Sequence, residues 1–420
     1  MSATARILVV GERFPWPTDH GAGIRLANVV TGLAQAGEVD FFALVHTGDA
    51  AACRTPDDAP VARSTVAERA PARLTPALRL RWLAAGDLPL ELYDRDYRAA
   101  TDAFRAWSRG SYDLAWFGDA EAFVALRSEV DAPAIVDLDD LDDHTAWVQG
   151  KGDRRDLLSV CRQGPASWER HLRQAKNTRM WRRLQARMVA ESAAVAVCSE
   201  GDRNRLGAAN AAVIPNGYTS PPQPLGRAAV GSPPTVLFVG YLRYGPNVDA
   251  AIRLVKQIGP RLWARRPELQ IRLVGRPNST ISSLHRPPQV VVTGPVDDLG
   301  TELAQADVSV IPLLAGAGTR VKILEAFAHR IPVVATAVAA AGLDVHDGAH
   351  LLLADDDDAL SAACLRVLED DGLRARLADR GQRLFDERYR WDLIHPRVAA
   401  LATRVMRAGA RSSDVADGPW

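Results

Sequence analysis

One device constrains this chain more than any other: a short, almost wholly apolar run rich in β-branched residues that ends in glycine, used twice. It reads RILVVG at Arg6–Gly11 and TVLFVG at Thr235–Gly240. A strand without polar alternation is buried on both faces, the situation of parallel sheets covered by helices. After the first run come Pro15, Trp16 and Pro17 and then a helix expected over Gly23–Ala36. Its Ile24, Leu26, Ala27, Val30, Leu33 and Ala34 recur at helical spacing, and Gly37 stops it. Further strands are expected at Val39–Val45, Tyr112–Phe117, Ala134–Leu138 and Ala193–Cys198. A second series follows at Ile271–Gly275, Val290–Thr293, Val308–Pro312, Val333–Thr336 and Leu351–Leu353. Strands separated by helical material make this an α/β chain with two Rossmann-like sheets in tandem. Its 420 residues also exceed what one core ordinarily fills.

The stretch 216–234, dense in proline and glycine, reads as a linker. It separates an N-terminal Rossmann-like domain at 1–215 from a C-terminal one at 235–390. The remainder, 391–420, reads as a helix around Trp391 with a frayed polar tail. Arg54–Leu90, rich in Ala, Pro and Arg with a weak pattern, reads as loops and short helices. Ligands of such open sheets bind beyond the carboxyl ends of the strands, so two facing sheets are expected to hold a substrate in the cleft between them.

Charge narrows the partners. Fifty-one basic residues balance fifty-one acidic ones, which argues against nucleic-acid binding through phosphate neutralisation. With 47% hydrophobic and 24% charged residues the composition is that of a soluble globular protein. No apolar run approaches the roughly 18 residues of a membrane span, and the apolar run after Arg6 is too short for a signal peptide. Cys53, Cys161, Cys198 and Cys364 have no paired spacing and read as reduced thiols. A cytoplasmic location is therefore expected. Arginine supplies nearly all the positive charge, which singles out the lysines, Lys151, Lys176, Lys256 and Lys322.

Two glycine-containing loops lead into helices. The first, Asp19-His20-Gly21-Ala22-Gly23-Ile24-Arg25, exposes backbone N–H groups that suit an anion, although it lacks the third glycine of a dinucleotide fingerprint and a plain turn explains it equally. The second, Gly316–Ala326 (GAGTRVKILEA), follows the Val308–Pro312 strand. Arg320 and Lys322 bring cations to a helix start, where the helix dipole opposes them, and a bound phosphate or diphosphate resolves that conflict. Glu325, three residues on, can accept hydrogen bonds from sugar hydroxyls. The plainer alternative is a surface Lys–Glu pair worth roughly 0.2–0.5 kcal/mol.

Other charged segments allow several readings. Asp137–His144 (DLDDLDDH) can cap the next helix, position an acceptor hydroxyl near a carboxylate acting as general base, or chelate a divalent cation. Asp139 and His144 are its catalytic candidates. The arginine-rich helix expected over Ser167–Glu191 either lies weakly on an anionic membrane or presents a solvated face over a packed stripe. Asp355–Asp358 reads as the favourable negative start of a helix over Ala359–Leu368. His329 and His350 read as structural.

Gly318–Thr336 (GTRVKILEAFAHRIPVVAT) resembles the donor-site signature of the GT-B retaining glycosyltransferases, family 4 group (glycosyl transferases group 1). Val213–Gly217 (VIPNG), Val236–Leu242 (VLFVGYL) and the N-terminal GERFPWPTDHGAGIRLANVVTGLAQAG carry the resemblance through both halves. It implies the GT-B arrangement, with parallel sheets facing an interdomain cleft. It also implies a metal-independent hexosyltransferase of bacterial carbohydrate or natural-product biosynthesis, with no cofactor and a nucleoside-diphosphate sugar as co-substrate. The acceptor would be a glycan, a lipid-linked saccharide or a small molecule. Glu325 would match the glutamate that holds the donor ribose, with Lys322 and Arg320 near the diphosphate. Gly240, Gly318 and Thr319 would line the donor site, and Arg243 would be the other phosphate cation. Gly21 and Gly23 would match the glycine loop that approaches donor phosphate and acceptor.

The pattern departs from the family in three places. The lysine that usually follows the glycine strand is missing from Tyr241–Pro246, and the usual cleft histidine is replaced by Asp137 and Asp139, with His144 later. Ala317 stands where the first of two glutamates contacts the transferred sugar, implying a changed sugar contact. That change also admits a weakened nucleotide-sugar-binding partner protein, or a sugar-nucleotide epimerase on the same scaffold.

Overall fold

A computed structural model describes residues 4–17, 21–70, 75–139, 141, 165–221, 233–296, 298–315 and 321–416. The chain divides into one unit of Met1–Pro215 with Ile394–Trp420 and a second of Asn216–Leu393.

The first unit is built on seven parallel strands: β1 (Arg6–Gly11), β2 (Glu38–His46), β3 (Arg63–Arg69), β4 (Leu114–Phe117), β5 (Ala134–Leu138), β6 (Ala194–Val197) and β7 (Ala211–Val213), in the order β3-β2-β1-β4-β5-β6-β7. The apolar runs are interior, as their lack of alternation requires: Ile7, Leu8, Val9 and Val10 are all fully buried, with Val9 opposite Phe41 on one side and Trp116 on the other. The chain reverses direction of progress between β1 and β4, which creates the switch point at which doubly wound sheets hold ligands. The helix Gly21–Leu33 begins two residues before the expected start, so Gly21 and Gly23 lie in its first turn. It packs closely on the helix Trp391–Ala416: a Cβ on Gly32 would lie 2.7 Å from Val398 Cβ, and His395 Nε2 is 3.0 Å from Asn28 Oδ1.

Two elements depart from the sequence reading. Arg54–Leu90 contains β3, an edge strand whose polar sequence RSTVAER leaves only Ala67 and Arg69 buried. An edge strand half open to water carries no apolar signature, and this one is held by side chains: Arg63 stacks 4.5 Å from the Trp107 ring, and Arg69 pairs with Glu121 at 3.1 Å. The other is β7, three half-buried residues for which the sequence reading names no strand.

The basic helix Pro165–Glu191 buries Met180, Leu184 and Met188 at four-residue spacing. Lys176 donates to the carbonyls of Trp82 and Leu83 and sits 4.9 Å from the Trp82 ring, so this part of the helix covers a packed stripe. Among the described residues no helix is long and apolar enough to cross a membrane.

The second unit repeats the scheme with six parallel strands: β8 (Thr235–Val239), β9 (Gln270–Val274), β10 (Val290–Gly294), β11 (Val308–Ile311), β12 (Val333–Ala335) and β13 (Leu352–Leu353), ordered β10-β9-β8-β11-β12-β13. Its switch point lies between β8 and β11. Phe238, Ile271, Val310 and Phe327 are central in its core. The helix Val321–Ala328 is held against the helix Asp371–Arg388 at Gly381, where a Cβ would meet the Phe327 ring at 2.6 Å. Tyr218, at the start of the stretch read as a linker, packs into this unit. Its N–H donates to the Tyr389 carbonyl at 2.9 Å, its carbonyl accepts from the Trp391 N–H at 3.3 Å, and its ring meets Phe385 edge-on.

Candidate functional site

The second unit assembles its candidate residues beyond β8 and β11. Gly240 follows β8, and the helix Gly245–Arg253 begins a short loop later. Bare backbone at Gly240 leaves room for the end of Lys322: a Cβ there would be 2.8 Å from its Cε and 3.0 Å from its Nζ. The Lys322 ammonium is also 6.0 Å from the centroid of the Phe238 ring. Asn247, absent from the sequence reading, closes the loop by donating to the Tyr241 carbonyl at 3.0 Å. Two ties steer the chain as it leaves β11: Arg253 Nη1 donates to the Pro312 carbonyl at 3.1 Å and Thr336 Oγ1 to the Leu313 carbonyl at 2.6 Å.

Lys322 occupies the first turn of the helix Val321–Ala328, and Glu325 lies one turn on. Glu325 Oε1 accepts a hydrogen bond from the Tyr218 hydroxyl at 3.1 Å. Burial pushes the Glu325 carboxyl up to about 7, against the opposing pull of the Tyr218 hydroxyl and the Lys322 charge. The Tyr218 phenol is raised in turn by burial and by the neighbouring carboxylate. Tyr218 also meets His329 edge-on, and His329 Nδ1 is a buried nitrogen without a hydrogen-bond partner. The unit therefore brings Gly240, Lys322 and Glu325 to one region of its sheet's carboxyl end. Arg243 is exposed in the β8 loop, its Nε donating to the Pro277 carbonyl at 3.1 Å. Gly318, Thr319 and Arg320 lie outside the described residues.

The first unit treats the acidic segment differently from the expectation of a ligand-facing loop. Asp137, at the end of β5, is buried against Arg25: the guanidinium reaches Oδ1 at 2.7 Å and Oδ2 at 3.0 Å and donates a further bond to the Ile214 carbonyl at 3.0 Å. A residue enclosed on this scale is a structural anchor. Asp139, next on the same strand end, accepts from the Cys198 thiol at 2.8 Å and keeps its side chain 31% exposed. His144 lies outside the described residues.

At the β1–β4 switch point Asp119 accepts from the backbone N–H of Glu12 and of Ala122, each at 2.7 Å. Burial and the nearby Glu12 push its carboxyl up to about 8. Beside it Glu121 is enclosed by Arg95 at 2.6 Å, Arg69 at 3.1 Å and the Tyr97 hydroxyl at 3.0 Å. Sequence reasoning missed Asp119 and Glu121, because nothing local marks a carboxylate whose partners lie on other strands. Among the described residues no group of three His, Cys, Asp or Glu could hold a metal ion.

Two tandem parallel α/β units with the strand orders given above define a GT-B fold. Solved structures agree. Sucrose-phosphate synthase from Thermosynechococcus elongatus superimposes with a TM-score of 0.66 over 96% of this chain and 100% of its own, at 18% identity. Anabaena HepE, in complex with UDP, gives 0.63 over 95% and 100% of the two chains, at 16% identity.

Residues 233–370, which include Gly240, Lys322 and Glu325, match the model of glycosyl transferases group 1. Among sequence relatives, the phosphatidyl-myo-inositol mannosyltransferase of Mycolicibacterium smegmatis is 32% identical over 187 residues, covering 42% of this chain and 47% of the relative. The protein of that name from Mycobacterium leprae is 30% identical over 216 residues, covering 48% and 56%. The chain thus spans about half the length of the relatives it matches.

Proposed function

We propose that this chain is a retaining, metal-independent glycosyltransferase that moves a hexosyl group from a nucleoside-diphosphate sugar to an acceptor hydroxyl. The observation that carries this reading is the contact of Lys322 with Gly240, a cation against bare backbone beyond β8, inside the region matching glycosyl transferases group 1. A diphosphate laid over Gly240 meets the Lys322 ammonium, and Glu325 one turn further offers carboxylate oxygens to ribose hydroxyls. Arg243 and Arg320 serve as further phosphate cations, and Gly318 and Thr319 bring backbone close to the donor. Gly21 and Gly23 contribute a glycine-containing helix start in the first unit, with Asp139 and His144 as its candidate catalytic groups.

In the transfer, the bond between the sugar's anomeric carbon and the diphosphate oxygen breaks. The acceptor oxygen bonds to that carbon from the same face, and the acceptor proton passes to the leaving phosphate. Negative charge grows on the diphosphate during this step. A fixed cation aimed at that charge stabilises the transition state by ~3 kcal/mol, the scale of one preorganised electrostatic contact. The relatives named for phosphatidyl-myo-inositol favour a lipid-linked acceptor among those considered, and a cytoplasmic enzyme would meet it at the membrane surface.

A thermal-shift panel of UDP, GDP, ADP and dTDP on wild type and on Lys322→Ala/Glu325→Ala tests the donor site. A nucleotide at a hundred times its dissociation constant adds about 2.7 kcal/mol. One nucleotide that stabilises wild type and leaves the double variant unmoved is the expected result. No shift with any of them at millimolar concentration would overturn the reading. Ala317 favours a second reading, a protein that binds nucleotide sugar without transfer. Product analysis separates the two, and an epimerase would reveal itself by altering the donor without an acceptor.

A further inference from the structure

We propose that Tyr218 is a positioning residue of the donor site: its hydroxyl holds Glu325 ionised and oriented, so that the chain's preference for a nucleotide with an intact ribose diol depends on this one phenol. The inference rests on the reading that Glu325 receives the donor ribose. Tyr218 follows Pro215-Asn216-Gly217 and lies 107 residues from Glu325 in sequence.

Its placement is over-determined. Its N–H and carbonyl are both bonded, to Tyr389 and Trp391, and its ring is wedged edge-on between His329 and Phe385. The one polar atom of the side chain is thereby brought to 3.1 Å from Glu325 Oε1. A phenol can donate a single hydrogen bond, and a carboxylate has acceptor capacity for about four. Donation to Oε1 leaves the other oxygen and the remaining lone pairs for two vicinal hydroxyls.

The charged form matters because a ribose diol donates two hydrogen bonds, and a protonated carboxyl gives up acceptor capacity to carry its own proton. Two groups favour ionisation of Glu325, the Tyr218 hydroxyl and the Lys322 ammonium, and burial opposes it. His329, in the turn just after the same helix, faces the Tyr218 ring. The helix Asp371–Arg388 presents Gly381 and Phe385 to this region, and its Asp379 and Arg388 pair with Arg330 and Asp344. With the carboxyl balanced at about 7, loss of a single donor suffices to keep it protonated at neutral pH. Tyr218→Phe makes that loss while retaining both ring contacts.

The experiment is titration calorimetry of wild type and Tyr218→Phe with UDP and GDP and their 2′,3′-dideoxy counterparts, at several values between about pH 6 and about pH 9. The diphosphate titrates alike in each pair, so the ratio of affinities isolates the diol. For wild type the preference for the ribonucleotide grows as pH rises through about 7. For Tyr218→Phe it falls by about fivefold at neutral pH, the worth of one hydrogen bond, and recovers at the alkaline end. Two results overturn the proposal: an unchanged preference in Tyr218→Phe, or an equal loss for both nucleotides at every pH, which is the mark of a merely structural tyrosine. A wild type that binds ribo- and dideoxynucleotides equally tightly at every pH would instead remove the ribose role of Glu325, and this proposal with it.

Discussion

Asp137→Asn is the substitution whose cost can be worked most directly from the geometry. Arg25 and Asp137 are 3% and 2% exposed at their side chains, and the guanidinium makes two bonds to the carboxylate and one to the Ile214 carbonyl. Asparagine has the same shape, but it turns an NH2 toward a guanidinium that can only donate, and it leaves the cation without its buried counter-charge. Breaking such a pair from one side costs ~3–5 kcal/mol. Asp139, 3.9 Å from Arg25 Nε, recovers part of this and sets the expectation at the lower end, about 3 kcal/mol.

With a urea slope of about 3 kcal/mol per molar, the midpoint falls by about 1 M. Because the chain has two units, the assay is urea unfolding followed by hydrogen exchange, with β1 and β5 peptides reporting the first unit and β8 and β9 peptides serving as the internal reference. Replacing both partners, Arg25→Met with Asp137→Leu, removes the desolvation penalty along with the attraction and is expected to restore most of the loss. A cost below about 1 kcal/mol for Asp137→Asn would refute the reasoning. So would a double variant as unstable as the sum of its singles, since the pair would then lack the coupling that its burial demands.

Gly240→Ala is expected to leave the unfolding midpoint nearly unchanged, because the clash falls on the flexible end of Lys322, and to weaken nucleotide binding about tenfold by calorimetry. Gly275→Ala should instead cost more than about 3 kcal/mol in urea unfolding, since its Cβ would lie 2.0 Å from the Gly240 carbonyl oxygen at a φ of +126°. Glu325 ionises in the unfolded chain at its ordinary 4.5 and in the folded unit only at about 7, so the folded state holds the extra proton between those values. Stability of the second unit is therefore fullest below that window and falls as pH rises through it, by up to about 3 kcal/mol, and Glu325→Gln should flatten the profile measured by urea titration across that range. Lys176→Met should lower the first unit's stability by about 1–2 kcal/mol in urea unfolding, the loss of a cation from two part-buried carbonyls.

The interior strands were legible because burial on both faces leaves them mostly apolar, without polar alternation. β1 and β5 have the expected bounds, and β8 and β9 differ by single residues at their ends. β3 was not, because an edge strand stabilised by arginine contacts carries the composition of a loop. Lys322 and Glu325 stood out locally, one as a cation where a helix dipole discourages cations and the other one turn along. Tyr218 gave no such signal: its partner lies 107 residues away, and its own segment is punctuated by proline and glycine. Arg25 and Asp137 were each noticed in their own motif, but the pairing spans 112 residues and is fixed only by the adjacency of the first helix to the end of β5. Local chemistry is written in the sequence, and contacts made by the topology are not.

The abutting ends of β8 and β9 bear on how such a unit can diversify. A side chain on Gly275 would run into the Gly240 backbone, whereas one on Gly240 would press only on the ends of the Lys322 and Asn247 side chains. Gly275 is thus closed to mutational exploration, and new specificity has to arise around the margin of the candidate site. Tyr241, Tyr244 and Leu314 are 52%, 48% and 63% exposed and packed into no core, so substitution there leaves the strands undisturbed. A combinatorial library spread over these three positions and Arg243 should return mostly folded proteins with varied sugar and base tastes. One spread over Gly275 should return almost none, which makes the unit a scaffold whose novelty is confined to its lip.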